Sequence, residues 1–165
     1  MLPVFIVFVT LFSIGHTARA EQPLGSFGAW DAFTEREGNN LLCYMASEAT
    51  KARGNYQRRG KTYMIVTHRP AEKSTNVVSV EAGYSYKKDS EVEIIIGKDT
   101  TKLFTSNTTA FAYDSKTDDA LVKQMIRGAG MTVKGTSARG TPTTDTYSLK
   151  GFTAAYKAIS AACKV

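Results

Sequence analysis

The sequence predicts a mainly β domain, an antiparallel β-sandwich or barrel-like fold with two short α-helices, the C-terminal one tethered by a disulfide. Three observations carry that expectation. Short runs rich in β-branched and aromatic residues recur between positions 27 and 149, separated by turn-forming residues. Two stretches alone, 118–127 and 151–163, keep helical spacing. The chain has two cysteines, Cys43 and Cys163, 120 residues apart, so that one bridge would pin its end to its first strands.

Ahead of the domain, residues 4–14 form an almost unbroken apolar run, followed by Ala18-Arg19-Ala20. This pattern reads as a secretory signal peptide cleaved after Ala20. The run is too short for a membrane span, which needs about 20 apolar residues. The expected organisation is a signal peptide at 1–20 and a single β domain at 21–165, periplasmic or secreted, with no transmembrane segment in the mature chain.

Within that domain, residues 27–33 alternate around the single tryptophan, Trp30, and residues 41–46 form a second apolar run that carries Cys43. The polar stretch 35–40, with Gly38, Asn39 and Asn40, makes the pair a hairpin. Residues 62–68 and 77–82 are the next pair, parted by 69–74, where Pro70 cannot join a ladder. Residues 91–96 and 102–104 flank Gly97-Lys98-Asp99, and the runs 109–113, 131–137 and 143–149 continue the pattern. In 118–127, Ala120, Leu121, Met125 and Ile126 have helical spacing behind the acidic start Asp118-Asp119 and before Gly128. In 151–163, Phe152, Ala155, Tyr156 and Ile159 lie on one helical face, expected to dock on the sheet and to bring Cys163 to the Cys43 strand. In an oxidising compartment that bridge is the expected state of both thiols, and its loop length sets a stabilisation of about 4–5 kcal/mol at most.

Catalytic chemistry finds little to work with. His16 falls in the signal segment, which leaves His68 as the one histidine of the mature chain, at a strand end and read as a surface or hydrogen-bonded side chain rather than a base. No His, Cys, Asp and Glu spacing suits a metal, and no cofactor motif is present. Gly128-Ala129-Gly130 lacks the Lys-Ser or Lys-Thr of a phosphate-binding loop and reads as a helix stop. Asp114, Asp118 and Asp119 read as a helix cap rather than a calcium loop, and Asn107-Thr108-Thr109 as a polar turn.

One constellation remains. Lys51, Arg53, Arg58, Arg59 and Lys61 fall within eleven positions around Tyr56, in a segment without apolar periodicity that reads as a loop. With 21 basic against 15 acidic residues, a formal net charge of +6, the chain favours anionic contacts. These side chains are therefore the candidate binders of an anionic envelope or host-surface molecule, through guanidinium contacts and stacking on Tyr56. The plainer reading is a solvated connector whose charges blunt a sheet edge. Export makes nucleic acid an unsuitable partner, and no oligomeric state is read from the sequence.

Several ordered motifs carry a resemblance: Phe27-Gly28-Ala29-Trp30-Asp31, Cys43-Tyr44-Met45-Ala46-Ser47, Val66-Thr67-His68-Arg69-Pro70, Gly135-Thr136-Ser137-Ala138-Arg139-Gly140 and Gly151-Phe152-Thr153-Ala154-Ala155-Tyr156. Together they resemble the invasion-associated locus B family of secreted alphaproteobacterial proteins, from Phe27 to Cys163. The resemblance implies a periplasmic or envelope protein that some pathogenic members need for entry into host cells. Two function classes follow: a non-enzymatic binding or accessory factor of the envelope or of invasion, or a periplasmic hydrolase or enzyme inhibitor acting through the His68 region. The second requires an acid or nucleophile beside His68.

Overall fold

A computed structural model describes residues 21–165; the expected signal segment lies outside the described residues. Among the described residues eleven strands form one antiparallel sheet: β1 (Gln22–Phe27), β2 (Trp30–Glu37), β3 (Asn40–Glu48), β4 (Lys51–Gly54), β5 (Tyr63–Arg69), β6 (Ser74–Glu81), β7 (Glu91–Ile96), β8 (Asp99–Ser106), β9 (Thr109–Phe111), β10 (Gly130–Thr136) and β11 (Pro142–Ser148). Two helices, α1 (Ser115–Arg127) and α2 (Phe152–Cys163), complete the domain. The strand order is β1-β2-β3-β5-β6-β9-β8-β7-β10-β11-β4.

That order closes on itself. β3 lies near one edge and β4 is the other edge, yet two residues separate them in the chain. Ala49 N–H still donates to Thr62 O at the start of β5, whereas Thr50 N–H donates to Thr146 O of β11. One bent segment thus serves both ends of the strand order and gives the sheet its barrel-like form.

The inner face follows from the period of two along each strand. In register, Met45, Val66 and Val78 line up across β3, β5 and β6, and so do Ser47, Met64 and Val80 one step along. All six are buried, with Val92, Ile94, Leu103, Met131, Val133 and Tyr147 completing the lining from the other strands. Trp30 meets Phe152 of α2 edge-to-face at 4.9 Å, and its indole N–H donates to Ser148 O, so this large ring is buried without an orphaned donor. Phe152, Ala155, Ile159 and Cys163 are the buried face of α2, as its periodicity predicts. Gly151 begins the helix at φ +91°, where a Cβ would lie 1.7 Å from Phe27 O, so only glycine fits. Cys163 is bonded to Cys43, with Cα atoms 5.9 Å apart.

The structure shifts several expected boundaries. A turn at Gly28 divides the expected run 27–33 between β1 and β2, and the hairpin turn tightens to Gly38-Asn39. Helix α1 starts three residues early because Asp114 is the cap, accepting from Thr117 N–H at 2.7 Å. Asp118 turns inward and accepts from Val78 N–H at 2.8 Å. β9 pairs with only Ser79, Val80 and Glu81 of β6, and the Asp118 carboxylate meets the amide just past that ladder. Residues 51–54, expected to be loop, form β4 against β11. As an exposed edge strand β4 buries no face, so it carries no periodic signal.

Candidate functional site

Three connections meet at one mouth of the barrel: residues 55–62 between β4 and β5, 82–90 between β6 and β7, and 137–141 between β10 and β11. Backbone bonds tie them together, Gly60 N–H to Gly83 O at 2.9 Å, Ala138 N–H to Ser85 O at 2.7 Å and Lys87 N–H to Thr136 O at 2.9 Å. Gly83 has φ +69°, and a Cβ there would come within 2.3 Å of Gly60 O, so the clamp needs glycine. Between the connections lies a cleft of about 690 Å³, lined by Tyr56 and Arg58 of the first, Tyr84 and Ser85 of the second and Ser137, Arg139 and Thr141 of the third, with Thr143 of β11 at its base.

Behind the Tyr56 and Tyr84 walls of the cleft lies a buried ion pair. Arg59 donates from both terminal nitrogens to the two Asp145 oxygens at 2.6 Å and from Nε to Ala82 O at 2.8 Å. The two side chains are 3% and 4% exposed. The guanidinium lies 4.8 Å from the Tyr84 ring centroid and 5.5 Å from that of Tyr56, a cation–π arrangement on both. Burial works against the Arg59 charge, but Asp145 more than offsets it and the pKa rises. Around the pair Tyr84 O–H bonds with Thr143 Oγ1 at 2.6 Å, and Tyr147 O–H with Thr62 Oγ1 at 2.8 Å. Burial raises the pKa of Tyr84, Tyr86 and Tyr147, which keeps these phenols neutral. The buried pair is neutral in sum, and the uncompensated charge of this mouth lies at its rim. Arg58 and Arg139 are exposed there, and neither has an ion-pair partner among the described residues.

The six residues singled out in the basic segment thus divide. Tyr56 and Arg58 reach the cleft. Arg59 does not face solvent; it points inward to Asp145, against the expectation that every charge in the segment is solvated. Lys51 and Arg53 pair in register with Thr146 and Thr144, the neighbours of buried Asp145, and so project from the outer side of the edge strand β4. Lys61 bonds to Glu48 at 2.8 Å on the surface. Arg139, Tyr84 and Ser85 were missing from the sequence reading. Arg139 stood in a Gly-flanked turn, a visible sign of an exposed loop, but nothing local connected it with Arg58.

His68 lies at the opposite end of β5 and has no exposed surface. Its Nδ1 accepts from Asn76 N–H at 3.1 Å, so the neutral ring carries its proton on Nε2 and donates to Ser160 Oγ at 3.1 Å. A serine therefore does stand beside His68, but the bond runs opposite to the one by which a histidine activates a nucleophile. Among the described residues no carboxylate bonds to the ring. Tyr156 packs edge-on at 5.7 Å and donates to Asn76 Oδ1, and Asn76 donates to Asp119 Oδ1 at 2.7 Å. Burial lowers the His68 pKa and keeps the ring neutral. Of the two expected readings, surface or hydrogen-bonded, the structure shows the hydrogen-bonded one, in the interior, where it fixes α2 beside the disulfide. Among the described residues no group of three or more His, Cys, Asp or Glu side chains is placed to hold a metal ion, and no helix is long and apolar enough to cross a membrane.

A family model described as Invasion associated locus B (IalB) protein matches residues 30–160, from the buried tryptophan of β2 to Ser160 of α2. No curated protein and no solved structure matches the chain.

Proposed function

The chain belongs to the invasion associated locus B family, and on that premise we propose that it is a periplasmic or secreted binding protein, a non-enzymatic accessory factor of the envelope or of host-cell invasion. The observation that carries this reading is the cleft: two arginines from different connections, neither with an ion-pair partner among the described residues, line it beside tyrosines backed by a neutral buried pair. A disulfide between strand β3 and the C-terminal helix suits an oxidising, extracytoplasmic compartment. The partner is an anionic envelope or host-surface molecule, gripped by Arg58 and Arg139 against Tyr56. Lys51 and Arg53 project from the outer side of the β4 edge and take no part in that grip.

Retention of the purified domain on immobilised heparin, a generic polyanion, tests the proposal. Arg58→Gln with Arg139→Gln should elute at clearly lower salt than the parent. Salt should weaken the parent's own retention, since screening shortens the Debye length to about 3 Å at 1 M. Elution unchanged by both substitutions would remove the cleft from the account of binding.

A further inference from the structure

Resting on that reading of the cleft, we infer that its ligand is an acidic saccharide, a sugar chain bearing carboxylates, and not a bare inorganic anion or a lone phosphate group. The cleft's size is the first reason. At about 690 Å³ it falls within the range of about 300–1,000 Å³ typical of sites for whole small molecules, and a single anion would leave most of it filled with water. The second reason is the chemistry of the walls. Ser85, Ser137 and Thr141 bring side-chain hydroxyls, and Tyr56 and Tyr84 bring aromatic surface. Hydroxyls match the donor and acceptor pattern of a sugar's own hydroxyls, and an aromatic ring takes its C–H face. A phosphate cradle is built differently, from successive backbone N–H groups at a helix N-terminus or Gly-rich nest. Here the nearby amides of Gly60, Lys87 and Ala138 are spent on clamping the loops together.

Charge placement supplies the third reason. Arg58 and Arg139 come from separate connections and line the same cleft, and each guanidinium offers a planar fork that fits a carboxylate. Beyond the cleft the middle connection continues into exposed Lys87 and Lys88. Cations therefore continue past the cleft along that connection, as a ligand with repeated negative charges would use.

The experiment is calorimetric titration of the full domain at about 0.15 M salt with three probes of similar length: an oligogalacturonide tetramer, neutral maltotetraose and tetrameric polyphosphate. The inference expects the oligogalacturonide to bind at least tenfold more tightly than either other probe. It also expects Arg58→Gln and Arg139→Gln each to weaken that binding by about tenfold, the worth of a hydrogen bond to a charged group. Lys51→Gln with Arg53→Gln, on the outer side of β4, should change it by less than about twofold. Equal binding of polyphosphate and oligogalacturonide overturns the saccharide inference and leaves the anion-binding reading standing. Equal binding of maltotetraose overturns the requirement for acidity. Failure of both anions to bind, together with loss of heparin retention, overturns the anion-binding reading itself.

Discussion

The two ends of the barrel bury polar groups by opposite means. At one end His68 is neutral, bonded to the uncharged Asn76 amide and Ser160 hydroxyl, and sealed under α2 by the Cys43–Cys163 bond. At the other, six residues back along the chain at Thr62 and about 20 Å away by strand rise, the interior holds full charges, Arg59 and Asp145, with a cleft open above them. The contrast follows from access to water. The covalently shut end keeps its shape through the disulfide and through hydrogen bonds to a neutral ring and to the Asp118 and Asp119 carboxylates. The open mouth is held by a pair that is costly to desolvate and far costlier to leave half made, which fixes the surrounding connections in one arrangement.

The largest effect is expected at the closed end. Serine at both Cys43 and Cys163 frees a 120-residue loop and should lower unfolding stability by up to about 4–5 kcal/mol in urea titration. A loss below about 1 kcal/mol would mean that packing alone seals this end, and the contrast would fail. At the open end, Asp145→Asn leaves the buried Arg59 charge uncompensated and should cost about 3–5 kcal/mol, whereas Arg59→Met combined with Asp145→Leu should recover most of that. A single variant no worse than the double would show that the mouth does not depend on the pair.

A pH series separates the ends in another way. The folded His68 pKa lies below its ordinary value of about 6.5, so the unfolded chain takes up a proton first as pH falls. Stability tied to His68 is therefore full above about pH 6.5 and declines toward the folded pKa, by at most about 1.4 kcal/mol per pH unit. His68→Gln should flatten that slope in thermal melts, while Asp145→Asn should leave it in place. The smallest effect belongs to the rim: Arg58→Gln with Arg139→Gln should change stability by no more than about 0.5 kcal/mol, since exposed unpaired charges contribute little to folding.

Much of this was legible in the sequence. β-branched runs such as 62–68 and 91–96 announced strands because one face of each is buried, and the pairing of two cysteines leaves a single choice. The face of α2 was legible for the same reason, because burial writes periodicity, but that of α1 was read only in part: Leu121 and Met125 are buried, whereas Ala120 and Ile126 are exposed and Val122 is buried in their stead. β4 was not, because an edge strand that buries neither face writes none. Nor does the sequence distinguish Arg58 from Arg59, adjacent residues of one type. What separates them is Asp145, 86 positions away, which draws one guanidinium inward and leaves the other at the rim. The cleft is assembled from three connections distant in sequence, so only the segment densest in charge stood out.

The bend between β3 and β4 has a consequence for how the chain reaches this structure. The segment running from β3 into β4 makes two bonds with the far end of the chain: Thr50 bonds to Thr146, 96 positions on, and Cys43 to Cys163, 120 positions on. Contacts of such separation raise the contact order and slow folding, because the loop entropy is lost before the contacts form. The central strands can pair as their hairpins emerge, but the circuit has no partner for its first closing strand until β11 exists, and no lock until the last helix does. The domain is thus finished from its C-terminus, and removal of α2 should leave the strand circuit without its disulfide lock and with Trp30 and His68 uncovered.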